Sequence, residues 1–278
     1  MRKQNEIIKE LRTERNISQQ SLAMGITTRE SVSNFERRGT NITSNTLIEF
    51  LDKMNVSLEE YYYLLNDKNL TQKQKTFVDG AKYFGDIKEQ KKYLKMLESM
   101  YMSTNDSAYL LITSQYRLLY SMKNNDSKTN ELKDDIENIK NHLNNVYNWG
   151  RFELSLFTNV LFIFNSEYIY STYRRVIKDM KLYSNHPYYK DNIGIFIKNC
   201  LILFWKRKHY TQMEYLLLEL DILSKNVTYT NERFTYLIFK KVLSSQGEFD
   251  ISMIEPEIEI LKYMGYNDYA QQIIHSFT

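Results

Sequence analysis

The sequence predicts an all-α chain in which a small domain of short helices precedes a longer stretch of paired helices. Three observations carry this. Only 8 glycines and 2 prolines occur in 278 residues, too few for the turns of a β-rich fold. Apolar residues recur at helical rather than alternating spacing along most of the chain. Behind the first domain the helical text repeats with a period of roughly 40 residues, the period of helix-pair solenoids.

The first helix is expected near Asn5 to Glu14, with Ile7, Ile8 and Leu11 on one face. The second opens at Ser18, a good N-cap, and turns Leu22 and Ala23 inward. A turn at Gly25 follows, because glycine tolerates the backbone angles a tight reversal needs. The third helix opens at Thr27 or Thr28 and reaches Arg37 or Arg38, burying Val32 and Phe35. The fourth starts near Thr43, with Leu47, Phe50, Leu51 and Met54 inward. The fifth carries a capping box, Ser57 with Glu60 three positions on.

Asn66 to Leu70 reads as a polar connector, so the expected domains are 1–66 and 67–278. In the second, first helices of successive pairs are expected near residues 71, 107, 149, 190 and 230, a TPR-like arrangement. Phe157 to Phe164 aligns with Ile197 to Phe204, forty positions on, bringing Asn159 and Asn199 into register. Pro187 and Pro256 fall where helices should start or stop.

Composition excludes several classes. A single cysteine, Cys200, rules out an internal disulfide framework and fits a reducing cytosol; within its apolar run it reads as a small core residue. No apolar run reaches the roughly 18–20 residues of a membrane span. The longest, Ile193 to Trp205, is broken by Lys198 and Asn199, and the N-terminus lacks a signal-peptide core. A cytoplasmic protein is expected. His142, His186, His209 and His275 are scattered without metal spacing. Asp134-Asp135 and Glu59-Glu60 read as solvated faces. With no phosphate-cradling loop and no nucleophile elbow either, neither an enzyme nor a cofactor is expected.

Net charge is +3, too small to announce nucleic acid alone. Its distribution is more telling. Residues 1–45 hold eight basic and five acidic side chains; residues 46–66 hold one lysine against four acids. Ser18 to Gly39 also has the pattern of two short helices crossing at a small apolar contact, with a turn at Gly25. A second helix so placed fits the major groove of DNA. Its outer face, Thr28, Arg29, Glu30, Ser33 and Asn34, can read base edges: Arg29 toward guanine, Asn34 toward adenine, Glu30 toward cytosine. Gln19, at the start of the preceding helix, is placed for phosphate. Arg12, Arg15, Arg37 and Arg38 complete the candidate DNA-binding set.

Residues 1–66 resemble the lambda-repressor/Xre-type helix-turn-helix domain. Phe35-Glu36-Arg37, Asn41-Ile42-Thr43, Leu51-Asp52 and Asn55 to Glu60 resemble more narrowly the Rgg family of peptide-responsive regulators. Trp149 with Phe152-Glu153-Leu154 and Leu156-Phe157 is similar to that family's C-terminal half. The resemblance implies that Glu36 pairs with Arg12 to lock the third helix. Relatives often read Glu-Arg-Gly there; this chain reads Glu36-Arg37-Arg38-Gly39, so the helix runs a residue longer or Arg38 sits at a strained cap. One module of this size buries little DNA, so a homodimer on a near-palindromic double-stranded operator is expected; the resemblance further implies control by a short apolar signalling peptide, as in quorum sensing by pheromones. The peptide would lie in the concave groove of the repeats. Asn159 and Asn199, which both donate and accept, would clamp its backbone. Trp149, Phe152, Phe196 and Tyr236 would be apolar walls, and Arg151 would meet a carboxylate. The rival class is a protein-interaction scaffold whose repeats bind a protein partner.

Overall fold

The computed structural model describes residues 2–124, 132–182, 187–245 and 247–277, with backbone alone for 178–182 and 187–191. The described elements are helices and helical turns, without a strand among them. The chain divides into two compact units, Met1–Tyr83 and Phe84–Thr278.

The first unit contains α1 (Gln4–Glu14), α2 (Gln19–Ala23), α3 (Arg29–Arg38), α4 (Ser44–Lys53), α5 (Leu58–Leu65) and α6 (Gln72–Asp79), then a 3₁₀ turn at Gly80–Tyr83. Helices this short are marginal alone. Each of α2 to α6 is started by a side chain that accepts a backbone N–H at its first turn: Ser18, Thr28, Thr43, Ser57 and Thr71. At Ser57 and Thr71 the bond is reciprocated by Glu60 and Gln74. Helices α1 to α5 then share one core, in which Ile8, Leu22, Val32 and Phe50 are wholly buried. Burying side chains of this size contributes about 1.5–3 kcal/mol each, against about 1 kcal/mol for a typical cap.

The second unit holds α7 (Ile87–Thr104), α8 (Ser107–Lys123), α9 (Lys133–Asn145), α10 (Arg151–Asn159), α11 (Ser166–Leu182), α12 (Pro187–Lys206), α13 (Tyr210–Leu223), α14 (Thr230–Ser244), α15 (Glu255–Tyr263) and α16 (Asn267–Phe277). The first helices of this unit begin at Ser107, Arg151, Pro187 and Thr230, close to the expected positions, and Asn267 continues the series; the helix expected near 71 is α6, which belongs to the first unit. Within this unit α8, α10, α12 and α14 pack side by side, as first helices of a stack do. The two prolines open α12 and α15. One core runs through the stack, with Leu143, Phe157, Cys200 and Phe204 sealed inside. Burial also pushes the Cys200 thiol well above its ordinary pKa.

One expectation about charge is overturned. Asp134 is exposed, but Asp135 is buried. Its carboxylate accepts from Ser114 Oγ at 2.8 Å and Arg117 Nη1 at 3.3 Å, and Arg117 also pairs with Glu98. Asp135 therefore ties α9 to α8 instead of facing water, because a buried carboxylate needs such partners. His186 lies outside the described residues. Among the described residues no group of His, Cys, Asp or Glu is placed to hold a metal ion.

The end of α3 settles the late glycine. The helix runs through Arg38, and Gly39 takes the left-handed conformation at φ 67°, donating to Phe35 O at 2.8 Å. A methyl group there would meet only the Asn5 side chain at 3.6 Å, an ordinary contact. Gly39→Ala should therefore lower stability through backbone strain alone, by about 1–2 kcal/mol, in urea unfolding of the full chain. Gly85→Ala, in open space without a left-handed φ, should change it by under about 0.5 kcal/mol.

Candidate functional site

In the first unit the α2–α3 corner turns through Gly25, at φ 81°. Val32, Phe35 and Glu36 point from α3 into the unit. The opposite face leaves Thr28, Arg29, Glu30, Arg37 and Arg38 exposed and Ser33 and Asn34 half-buried. Among the described residues no ion pair engages Arg29, Arg37 or Arg38. A face of this kind combines unneutralised cations with hydrogen-bonding groups on one rigid element.

The element is held from beneath. Arg12 Nε and Nη2 reach Glu36 Oε1 and Oε2 at 2.5 and 2.8 Å, a two-pronged bond between α1 and α3. Arg12 also donates to Ile17 O at 2.7 Å, and Gln19 Nε2 donates to Glu36 Oε2 at 2.8 Å. Asn5 Nδ2 donates to the Glu36 carbonyl at 3.2 Å. The side chain of Glu36 is only 2% exposed. Burial alone would raise its pKa, but the Arg12 and Gln19 hydrogen bonds and the Arg12 charge outweigh burial and hold it below the ordinary value.

This geometry gives three candidate DNA contacts partners within the domain. Arg12 is buried under α3 and commits its guanidinium to Glu36 and Ile17. Gln19 commits one amide hydrogen to Glu36, so that its amide is positioned by α3 and keeps a single N–H for any other partner. Arg15 turns toward α4, donating to Met54 O at 2.8 Å and back to Leu11 O at 3.1 Å. Composition marks all three as donors; their partners lie within the domain.

In the second unit the accessible stripe of α12 carries Ile195, Lys198, Asn199 and Ile202, while Phe196, Ile197, Cys200 and Leu201 face the core. Asn199 is half-buried and its amide has no hydrogen-bond partner among the described residues. Asn159 is the last residue of α10, not an interior one, and donates to Gln115 Oε1 on α8 at 3.2 Å. Gln115 is fully buried, and its Nε2 is without a partner. The two candidate asparagines are therefore in different states: one is tied to the neighbouring helix and the other is open.

The aromatic candidates divide likewise. Trp149 is buried, donates from Nε1 to Leu143 O at 3.1 Å and sets its edge against Phe157. Phe196 is buried between Phe157 and Tyr173, stacked at 5.7 and 5.6 Å. Both are core pieces and not walls of an open groove. Phe152 is half-buried against the His142 ring at 6.0 Å. Tyr236 is half-buried, with the Arg233 guanidinium 4.6 Å from its ring centre. Arg151 stands exposed at the start of α10. Gln115 gives no comparable signal in the sequence, because Thr113 and Ser114 precede it in a stretch of mixed polarity.

A family model described as the C-terminal domain of the HTH-type transcriptional regulator Rgg matches residues 90–274. A helix-turn-helix model matches residues 8–61. The fold is similar to that of a protein from Listeria monocytogenes EGD-e, with TM-score 0.84 at 17% identity over 99% of this chain and 96% of that one. It is similar to the SHP pheromone receptor Rgg2 of Streptococcus dysgalactiae, with TM-score 0.76 at 17% identity over 98% of each chain. PrgX in its complex with cCF10 gives TM-score 0.75 at 17% identity over 99% of each chain.

The Glu36 carboxyl makes the first unit pH-sensitive with a definite sign. Its folded pKa lies below the ordinary 4.5, so its stabilisation is complete above that value and lost as pH falls through the lower folded value. Glu36→Gln should weaken the unit by roughly 3 kcal/mol at neutral pH by stranding Arg12, and should flatten the acid limb of the stability curve. Chemical unfolding of both proteins from neutral pH down to acid checks this; an unchanged acid limb would show that the pair is not the source.

Proposed function

The chain belongs to the Rgg family of HTH-type transcriptional regulators, and we propose that it reads DNA through α3 and is switched by a short peptide bound in its second unit. The observation that carries the DNA half is the locked α3. Its outward face presents Arg29, Glu30, Ser33 and Asn34 together, with Arg37 and Arg38 at the end nearer Gly39. We assign residues 1–66 to DNA binding and 67–278 to sensing and dimerisation. Arg29 and Asn34 read base edges, Glu30 selects against mismatched bases, and Thr28 and Ser33 contribute shorter hydrogen bonds. Arg37 and Arg38 neutralise phosphate, which sets affinity without selecting sequence.

A single module of this size buries little DNA, so specific binding needs two. The protein is a homodimer, and its half-sites lie about one helical turn apart or a multiple of that. The peptide half is supported by likeness to Rgg2, a pheromone receptor, and to PrgX in complex with cCF10. Within this chain it is supported by the open Asn199 amide on the accessible stripe of α12. Asn199 meets the peptide backbone; Asn159 does so only after releasing Gln115. Phe152, Tyr236 and Arg151 border the same series of helices. The peptide acts by linkage, binding one arrangement of the repeats better than another. No helix of the described residues is long and apolar enough to cross a membrane, and the cytoplasm is the compartment in which such a regulator meets DNA.

Selection of DNA from a random pool by the full chain should give a near-palindromic motif. Arg29→Ala should relax one position of each half-site and cost about 1–3 kcal/mol, whereas Arg37→Ala should weaken all sequences alike and reduce the salt slope by about one. A motif unchanged by Arg29→Ala would remove α3 from base readout.

The two asparagines are separable. Asn199→Ala should lower affinity for a peptide selected on the full chain by about 1–3 kcal/mol, because a backbone group of the ligand is left unpaired, with little change in melting temperature. Asn159→Ala leaves buried Gln115 with no partner for either end of its amide and should also lower the melting temperature. Calorimetric binding and thermal melts on both variants measure the split; normal peptide affinity in both would end the clamp assignment.

A further inference from the structure

The accessible stripe of α12 carries a cation without an acid. Lys198 is half-buried, yet no carboxylate pairs with it among the described residues. Its ammonium stands 4.4 Å from the centre of the Tyr269 ring on α16 and 3.3 Å from the Tyr269 hydroxyl. An ammonium cannot accept, so Lys198 donates and Tyr269 Oη accepts. Tyr269 Oη also lies 3.4 Å from Thr235 Oγ1 on α14, whose own hydrogen goes to Asn231 O at 3.0 Å. With the Thr235 hydrogen on the shorter bond to Asn231, the chain runs from Lys198 to Tyr269, from Tyr269 to Thr235 and from Thr235 to the Asn231 carbonyl. Tyr269 has no hydrogen left for a ligand, and the remaining donors are those of the ammonium. Such a corner accepts an anion and rejects a second donor.

Its surroundings are apolar. Ile202, Ile238, Phe239, Ile273 and Phe277 line one side of Tyr269. Tyr269 also borders a cavity of about 220 Å³, together with Thr230, Asn231, Phe234, Leu261 and Tyr266. A partly desolvated cation beside an apolar cavity fits a ligand that brings a carboxylate and an apolar side chain on the same carbon. The last residue of a peptide has that chemistry. An internal aspartate or glutamate does not, because its carboxylate is its side chain.

We propose that the Lys198–Tyr269 corner binds the free C-terminal carboxylate of a peptide whose last residue is apolar and fills the neighbouring cavity. This rests on the peptide reading above and adds where the ligand ends and with which group. It places the C-terminus against α12, α14 and α16, next to Asn199.

The test uses the full chain and three synthetic probes: acetyl-Leu-Val-Leu as the free acid, the same tripeptide as its carboxamide, and acetyl-Leu-Asp-Leu as its carboxamide. Affinities are read from titrations of methyl-labelled protein by nuclear magnetic resonance. The free acid should bind about tenfold tighter than either carboxamide, the worth of one charge-assisted hydrogen bond. The acid-to-amide ratio should fall to about one in Lys198→Met and be retained in Lys198→Arg, with thermal melts reporting that both variants fold. A ratio near one in the unaltered chain, or a ratio untouched by Lys198→Met, overturns the assignment while leaving peptide binding standing. Equal binding of the aspartate probe and the free acid overturns it in favour of an internal carboxylate. Binding of no probe overturns both this assignment and the peptide reading.

Discussion

The bond between Arg12 and Glu36 is the constraint on which the outward face of α3 depends. Both side chains leave water, and such pairs often contribute little net stability once desolvation is counted. What this one contributes is position. A two-pronged guanidinium–carboxylate contact fixes distance and angle together, and here it joins α1 to α3 beneath the outward face. Gln19 and Asn5 add bonds to the same glutamate from α2 and α1. The third helix is thus held on its inner side by donors from two other helices. Arg29, Arg37 and Arg38 remain uncommitted on its outer side.

The second unit follows a different logic. Its first helices stack through an apolar core, and the aromatic residues that look most like ligand walls are part of that core. On the accessible stripe the Asn199 amide has no partner among the described residues, and the Lys198 ammonium meets the Tyr269 ring and hydroxyl but no carboxylate. Asn199 and Lys198 are therefore more informative than Trp149 or Phe196. Asn159 sits between these cases, with its amide engaged by a buried glutamine whose other end is unsatisfied. A buried donor without a partner is costly, so this corner has reason to rearrange when an acceptor arrives.

Much of the fold was legible in the sequence because its causes are local. Ser18, Thr28, Thr43 and Ser57 announce helix starts through bonds to residues three positions on. The late Gly39 announces a longer α3 because only glycine takes that cap without strain. The misreadings share the opposite cause, partners far along the chain. Asp135 looks solvated in its charged stretch, since Ser114 lies 21 positions away. Arg15 looks free, since Met54 lies 39 away. Trp149 and Phe196 were misassigned because an aromatic residue has the same local pattern on either side of a helix. Lys198 and Tyr269, 71 positions apart, offered no local signal at all.

The central claim is that occupancy of the repeat unit and binding of DNA are coupled. Linkage makes it measurable from both ends. A peptide selected on the full chain from a random octapeptide library, and a DNA site selected likewise, would be titrated singly and then each in the presence of the other. The account predicts that the peptide changes DNA affinity by the same factor as the DNA changes peptide affinity, about 5- to 150-fold in either direction. Affinities that are identical with and without the second ligand would contradict it.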